Sequence, residues 1–406
     1  MSTIAANANP RLDALRIDLD KTDRHIVGLM SKRLGLVRKI EAVKFANGEP
    51  VLVEKTEQEK LDRLAAFANE KGLSIPFVRG LFYSLFSESC RTQTKQRDQR
   101  DEQASAAEDE ETRYKRLKQN LLDLTELLVP EYKGTYKLSS FGTISYLDFE
   151  LDAIKTQVST LASMGNTKLA IDLGCGVGIV SLSEHVTPFF EQVRGFDISP
   201  HMIGQALWIR NLTQGDAMRA SFEVLDIEKR LPLEDGSVSF VAMTLGTASD
   251  VKNIRKVLAS IRRVLNKDGR FVLSFYNSAA LFYRWSLPWE VNLMAEINPT
   301  DHCLDVHVGG RVFQLYARPY TVREVKKLLA DAQLHVSSVS TYPALAAIMP
   351  NELFYGVDEA QRASHRKEVQ AALLQEQETK RTIQRIDKGL AGSDMGAYIL
   401  VTGRKT

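Results

Sequence analysis

The run Leu169–Gly178, L-A-I-D-L-G-C-G-V-G, constrains the fold of this chain more tightly than any other stretch. Leu169–Leu173 is apolar except for Asp172, and glycines then stand at alternate positions, Gly174, Gly176 and Gly178. A short apolar run stopped by glycines reads as a buried parallel strand entering a tight turn. Glycine admits backbone angles closed to other residues and lets a ligand lie against bare backbone. Ile179–Phe190 reads as a helix, so its first amides should point at that ligand. A turn that only joins strand to helix is the plainer alternative.

Further strands follow in alternation with helices. Gln192–Phe196 predicts a second strand ending at Asp197, with Ser199-Pro200 opening a helix. Ser221–Leu225 predicts a third strand ending at Asp226 and Ile227, and Ser237–Met243 a fourth ending at Thr244-Leu245-Gly246. Asp250–Leu265 reads as a helix, and Arg270–Phe275 as a fifth strand after the turn Lys267-Asp268-Gly269. Tyr320–Ala332 reads as a helix, His335–Ser340 as a sixth strand and Glu359–Leu390 as a charged amphipathic helix. Met395–Arg404 reads as an edge strand. The alternation gives an α/β doubly wound sheet, whose ligands lie beyond the strands' carboxyl ends. The acids Asp197 and Asp226 fall there, although a helix-capping aspartate is a bland alternative for Asp197.

The pattern D-x-G-x-G-x-G over Asp172–Gly178 resembles motif I of the class I methyltransferases that use S-adenosyl-L-methionine. Phe196–Ile203, F-D-I-S-P-x-M-I, resembles their ribose-binding segment. The dinucleotide fingerprint G-x-G-x-x-G fits less well, because from Gly176 it needs glycine where Ser181 stands. The likeness covers roughly Tyr114 to the C-terminus. It implies a Rossmann-like domain over residues 114–406 and S-adenosyl-L-methionine as cofactor. The residues it implies around that cofactor are Asp172, Gly174, Cys175, Gly176, Gly178, Asp197, Ile198, Asp226, Ile227 and Thr244. In the family the acid matching Asp197 takes the ribose hydroxyls; the one matching Asp226 faces the adenine amino group, with Ile227 beside the ring. The Asn-Pro-Pro-Tyr signature of amine methylation is absent after the fourth strand. The aromatic stretch Tyr132–Phe149 stands where the family covers cofactor or acceptor, although such aromatics are more often local core. Insertions at about 276–320 and 341–393 stand where acceptor lids occur. The first holds Trp285, Trp289, His302, His307 and Arg311, which favours a small, partly apolar acceptor. Tyr276, His302 and His307 are the weak candidates for a base.

The first ninety-odd residues are organised differently. Leu12, Leu15, Leu19, Thr22, Ile26, Leu29, Arg33, Leu36, Ile40 and Val43 step alternately by three and four, which predicts one long helix with a seam-like stripe. Such a length implies an extended bundle or an intertwined dimer. Asn47-Gly48-Glu49-Pro50 is a turn. A second helix follows from Glu54 with the stripe Glu57, Leu61, Leu64, Ala68, and a third from Pro76 with Val78, Leu81, Leu85, Ser89, Gln93. Each inward line carries polar groups. Helix ends and solvated faces explain any one of them. A core arginine such as Arg33 is costly unless it is paired or faces a site.

Leu15-Arg16, Asp23, Lys32-Arg33, Lys44 and the late helix Leu81–Ser89 carry a second resemblance, over Asn9–Gln93, to the small helical chorismate mutases of the AroQ type. It implies an all-α three-helix domain over residues 1–95 in an intertwined homodimer, with a chorismate-like ligand. It places carboxylate clamps on Arg16 and Arg33 and ether-oxygen donors on Lys44 and Gln93. The hydroxyl-binding glutamate falls on Glu57 and the late-helix serine on Ser89. Arg16 and Arg33 are seventeen residues apart on one helix, so they meet one substrate only if Arg16 comes from a partner subunit. The rearrangement needs no nucleophile or base, only a folded substrate and a stabilised ether oxygen. Val53 and Thr56 depart from the family's aspartate and arginine. These substitutions leave open a weakened mutase, a ligand-binding module or a dimerisation module.

The remaining residues narrow the class. The 406-residue chain has 53 basic and 51 acidic residues, so it carries no overall field for nucleic acid or a membrane surface. Cys90, Cys175 and Cys303 lack metal-ligand spacing and read as reduced thiols of a cytoplasmic protein. No signal-peptide pattern and no uncharged apolar run of membrane-spanning length is seen. Residues 96–113 are charged and read as a linker. The expectation is a fusion enzyme that acts on small molecules, without metal, nucleic acid or membrane.

Overall fold

The computed structural model describes residues 10–46, 54–75, 109–128, 141–281, 296–298, 302–308, 311–349 and 367–405, with separate positions between 78 and 96. The chain divides into two compact units, residues 1–108 with 309–312, and 109–308 with 313–406.

The first unit is helical. Helix α1, Pro10–Ala46, runs for 37 residues, about 55 Å at the usual rise. Helix α2 is Glu54–Glu70. Positions 78, 81, 82, 85, 88, 89, 92, 93 and 96 are helical, as the third stripe predicts. Val37, Glu41, Ala65, Ala68, Val78, Ser89 and Gln93 are buried. Among the described residues nothing covers the seam of α1: Leu15, Leu19, Leu29, Leu36, Ile40 and Val43 are all at least half exposed, from 50% to 61%.

The second unit opens with α3, Glu110–Leu128, which begins inside the segment read as linker, and α4, Phe141–Ser163. Then come β1 (Leu169–Leu173), β2 (Gln192–Asp197), α5 (Pro200–Thr213), β3 (Ala220–Val224), β4 (Val238–Met243), α6 (Ile254–Val264) and β5 (Leu265–Tyr276). Strands β6 (Glu296–Asn298), β7 (Cys303–Val308) and β8 (Arg311–Tyr316) precede α7 (Val322–Asp331), β9 (Leu334–Tyr342), α8 (Lys367–Leu390) and β10 (Tyr398–Lys405). Seven strands form one sheet in the order β3-β2-β1-β4-β5-β10-β9, and β6-β7-β8 form a small second one. Strands β1 to β5 pair parallel, whereas β10 is antiparallel to both neighbours. The order reverses at β1, which pairs with β2 on one side and β4 on the other, and this opens a crevice at their carboxyl ends.

Alternation sorts the side chains of β1. Leu169, Ile171 and Leu173 join a core with α6 and α7, through Val257, Leu258, Ile261, Val325 and Leu329. Ala170 joins the opposite core with Ile154, Val158 and Leu161 of α4. Strand β10 corrects the edge-strand expectation: it lies between β5 and β9, and β3 and β9 are the edges. Its run Ile399–Gly403 is buried throughout, as an interior strand requires. The first insertion forms β6–β8, and Phe313 and Leu315 pack on Leu124 of α3.

Asp387 of α8 ties down the segment after β9. Its carboxylate accepts the amides of Ala344, Leu345 and Ala346 at 3.1, 2.7 and 2.9 Å and is 1% exposed. Asp387→Ala would strand three amides, so a loss of about 3 kcal/mol or more is expected in urea unfolding.

Candidate active sites

The glycine loop lies at the β1 switch point. Leaving β1, Gly174 and Cys175 both donate their amides to Phe196 O, at 2.8 and 3.0 Å, which folds the turn back over β2. Gly174, Gly176 and Gly178 have φ of +72°, +51° and +86°, in the region that favours glycine. A Cβ on Gly174 would lie 2.5 Å from the Thr247 methyl, and one on Gly178 2.9 Å from Phe222. A Cβ on Gly176 would meet nothing within 4 Å, so bare backbone there faces open space.

The expected helix Ile179–Phe190 does not form. Residues 177–189 are successive turns, closed by Leu182 N to Gly178 O (2.8 Å), Ser183 N to Val180 O (3.1 Å) and Phe189 N to Val186 O (3.0 Å). Val177, Ile179, Val180, Val186 and Thr187 are β-branched, and Pro188 withholds an amide, so no regular ladder propagates. The amides that edge the site therefore belong to the loop, not to a helix N-terminus.

Asp197 ends β2 half-buried. Its Oδ2 accepts Gly176 N and its Oδ1 accepts Ser199 N, both at 2.9 Å. Burial raises its pKa against these bonds. Ile198 is half-buried beside it, and Ser199 caps α5 by accepting Met202 N at 3.3 Å. Asp172 is 2% exposed; its Oδ2 accepts Ser181 Oγ at 2.7 Å, and its Oδ1 is buried without a hydrogen-bond partner. Burial lifts its pKa to about 6. Burial, with Asp172 and Asp197 nearby, pushes the Cys175 thiol well up, so this thiol is neutral packing.

Asp226 follows β3 and is held by Lys118 Nζ of α3 at 2.8 Å. Lys118 also pairs with Glu228 at 2.5 Å, and Tyr114 donates to Glu228 at 2.5 Å. Helix α3 is thereby clasped onto the β3 end of the crevice. Ile227 is 7% exposed and lies in the apolar core.

Beyond β4, Thr244 is buried and its carbonyl accepts Thr247 N and Oγ1, at 3.1 and 2.7 Å. Leu245 and Gly246 follow with φ of 52° and 84°. Leu245 donates its amide to both oxygens of Glu150, at 2.9 and 3.2 Å, and Gly246 donates to Ser274 Oγ at 2.8 Å. The sequence reading missed Glu150. Its signal is a charge on the α4 line Tyr146, Glu150, Ile154, Val158, Leu161, which is otherwise inward and aromatic or apolar. Tyr276 lies over Gly246, where a Cβ would come within 2.3 Å of its ring, and its hydroxyl hydrogen-bonds Asp250. Burial lifts Asp250 to about 7.

In the helical unit, Arg33 Nη1 donates to Ser89 Oγ at 2.5 Å and to Leu85 O at 3.0 Å. Ser89 and Gln93 are buried and Lys44 is half-buried. Arg16 is exposed and pairs with Asp13 at 3.4 Å. The structure thus brings Arg33 and Ser89 together and leaves Arg16 far along α1. Only the backbone of Thr56, Glu57, His307 and Arg311 is described, and Val53, Cys90, Tyr132, Tyr136, Trp285 and Trp289 lie outside the described residues. His302 is half-buried, its ring centroid 6.3 Å from that of Tyr316.

The residues of the crevice fit S-adenosyl-L-methionine. Open space backs Gly176, a half-buried acid ends β2, and an unpartnered carboxylate oxygen of Asp172 lies beneath the loop. Among the described residues no group of three or more His, Cys, Asp or Glu side chains could hold a metal, and no helix is long and apolar enough to cross a membrane.

The sheet order and glycine crevice define a Rossmann-like methyltransferase fold, and residues 171–273 match the family model described as a methyltransferase domain. Residues 15–94 match the model of chorismate mutase type II, so both enzyme domains are present on one chain. No curated protein matches the sequence. Among solved structures, the cyclase SpnF is similar at 16% identity over 63% of this chain and 80% of its own, with a TM-score of 0.39. The PH0226 protein of Pyrococcus horikoshii OT3 is similar at 16% identity, 61% and 86% coverage and a TM-score of 0.38. Geranyl diphosphate C-methyltransferase of Streptomyces coelicolor A3(2) is similar at 14% identity, 62% and 77% coverage and a TM-score of 0.37. At such identities and TM-scores these likenesses carry no weight for substrate or mechanism.

Proposed function

We propose that the protein methylates a small metabolite derived from chorismate or prephenate, using S-adenosyl-L-methionine, and that its helical unit is a chorismate mutase of weakened activity. The observation that supports the pairing is the Arg33–Ser89 contact inside a mutase-type helical unit on the same chain as the glycine crevice. The protein is further proposed to be a cytoplasmic homodimer joined through α1, whose apolar seam is exposed in the single chain.

When bound, the cofactor supplies an electrophilic methyl group on a sulfonium. The chain's part is alignment and exclusion of water. Gly174 and Gly176 offer bare backbone, and Asp197 keeps lone pairs for two ribose hydroxyls. Asp226, held by Lys118, would take the adenine amino group. The loop Thr244–Gly246, fixed by Glu150 and Ser274, forms the wall beside Tyr276. In the helical unit Arg33, with Arg16 of the partner subunit, clamps carboxylates, while Lys44 and Gln93 donate to the ether oxygen.

Incubating the protein with methyl-labelled S-adenosyl-L-methionine plus chorismate, prephenate or phenylpyruvate tests this reading. One labelled product is expected; no transfer to any of the three would sink the pathway assignment. Val53 and Thr56 favour a second reading, in which the helical unit only dimerises or senses a ligand. Prephenate formation by the full-length protein decides between them.

A further inference from the structure

Tyr114, Lys118, Leu121 and Thr125 step by four, three and four along α3, so they share one face of that helix. The face lies across the carboxyl ends of β2 and β3. Thr125 Oγ1 and Ser199 Oγ share a hydrogen bond at 2.7 Å, and Lys118 Nζ lies 2.8 Å from Asp226 Oδ2 and 2.5 Å from Glu228 Oε2. Asp226 is contiguous with the glycine crevice. Its neighbour Leu225 donates an amide to Asp197 O at 2.8 Å, and Asp197 Oδ2 accepts Gly176 N at 2.9 Å. The side chains of Lys118 and Asp226 remain 23% and 21% exposed, so the pair is not sealed away from a ligand. Each oxygen of Asp226 is held from a different side: Oδ1 accepts Glu228 N at 3.1 Å and Oδ2 accepts Lys118. Lys118 is anchored in turn by Glu228, which is 7% exposed and accepts the Tyr114 hydroxyl at 2.5 Å and Asn253 N at 2.6 Å. A carboxylate has about four lone-pair sites, so with two filled and the plane fixed, the direction of the others is set.

We propose that Lys118 is a positioning residue that sets nucleoside specificity: by fixing the Asp226 carboxylate it makes the protein select a 6-amino purine over a 6-oxo purine. This rests on the cofactor assignment above. A 6-amino group donates to the aimed lone pairs, whereas a 6-oxo group sets its own lone pairs against them. A site built around a polar partner rejects the analogue that lacks it, because the site's own group is then left unpaired. Without Lys118 the carboxylate is held through Oδ1 alone and can turn. A turned carboxylate meets the N1–H of a 6-oxo purine as readily as the amino group of adenine, so attraction and rejection both weaken. No covalent bond forms or breaks.

Isothermal titration of the full-length protein with S-adenosyl-L-homocysteine and S-inosyl-L-homocysteine, beside thermal unfolding, tests this directly. The wild type is expected to prefer the adenosyl ligand by about a hundredfold or more. Lys118→Met should narrow the preference to less than about tenfold, and Lys118→Arg should restore most of it. Tyr114→Phe is the control for the clasp. It takes one hydrogen bond from Glu228 and leaves Lys118 on Asp226, so it should lower the melting temperature without moving the preference. If Lys118→Met does not fold, Lys118→Gln, which keeps a neutral donor, is read in its place. Equal binding of the two nucleosides by the wild type, an unchanged preference in the Lys118 variant, or an equal loss in Tyr114→Phe overturns the proposal and leaves the cofactor assignment intact. No binding of S-adenosyl-L-homocysteine by the wild type overturns both.

Discussion

Gly176→Ala should leave the protein folded and weaken S-adenosyl-L-methionine binding about a hundredfold, on the order of 3 kcal/mol. The added methyl meets no protein atom within 4 Å, so the folded state bears only the left-handed backbone, about 1–2 kcal/mol for a residue with a Cβ. That same open space is where the proposed cofactor would lie against the loop, and the methyl would occupy it. Gly174→Ala is the contrasting variant. Its methyl would lie 2.5 Å from Thr247 Cγ2 at φ +72°, so the loop and the post-β4 turn must part. It should lower the melting temperature as well as the affinity. Titration calorimetry beside thermal unfolding separates the two. Wild-type affinity in Gly176→Ala would mean that the ligand does not rest on this loop.

Paired charges on α1, Leu19→Glu with Leu29→Glu, should convert the proposed dimer to monomers and abolish the proposed prephenate formation. Both side chains are more than half exposed in the single chain, at 61% and 53%. Covering a leucine is worth roughly 1.5–3 kcal/mol, and the stripe offers many, so a continuous seam supports association strongly. Arg16 and Arg33 are about 25 Å apart along the helix, so a monomer could not bring both to one substrate. Cofactor binding by the other unit should survive. Sedimentation and a chorismate-consumption assay report the outcome. Unchanged mass and turnover in the double variant would end the intertwined assignment.

The features legible in the sequence are those set by near neighbours. The glycines at 174, 176 and 178 dictate a turn wherever they occur, and the apolar runs at 169–173 and 238–243 read as buried strands. The stripes of α1 and α2 are likewise local. Residues 177–189 misled because their apolar spacing mimics a helix while their β-branched side chains and Pro188 oppose one. Glu150 shows only as a charge on an inward helix line, and its role does not show, because its partner, the Leu245 amide, is 95 residues away. The interior place of β10 was lost similarly. Tyr398–Lys405 reads as a strand at once, but pairing with both β5 and β9 is a long-range choice.

That choice has a consequence for biosynthesis. Strand β5 ends at Tyr276, and its partner in the ladder begins about 120 residues later, at Tyr398. At ribosomal speeds of 5–20 residues per second, the interval is on the order of ten seconds. Throughout it the parallel half of the sheet stands complete while the apolar edge Phe271–Phe275 has no neighbour. An open edge of that kind invites pairing with other chains. The nascent protein therefore passes through a period in which its most ordered part is also its most adhesive, and chaperone demand should peak there.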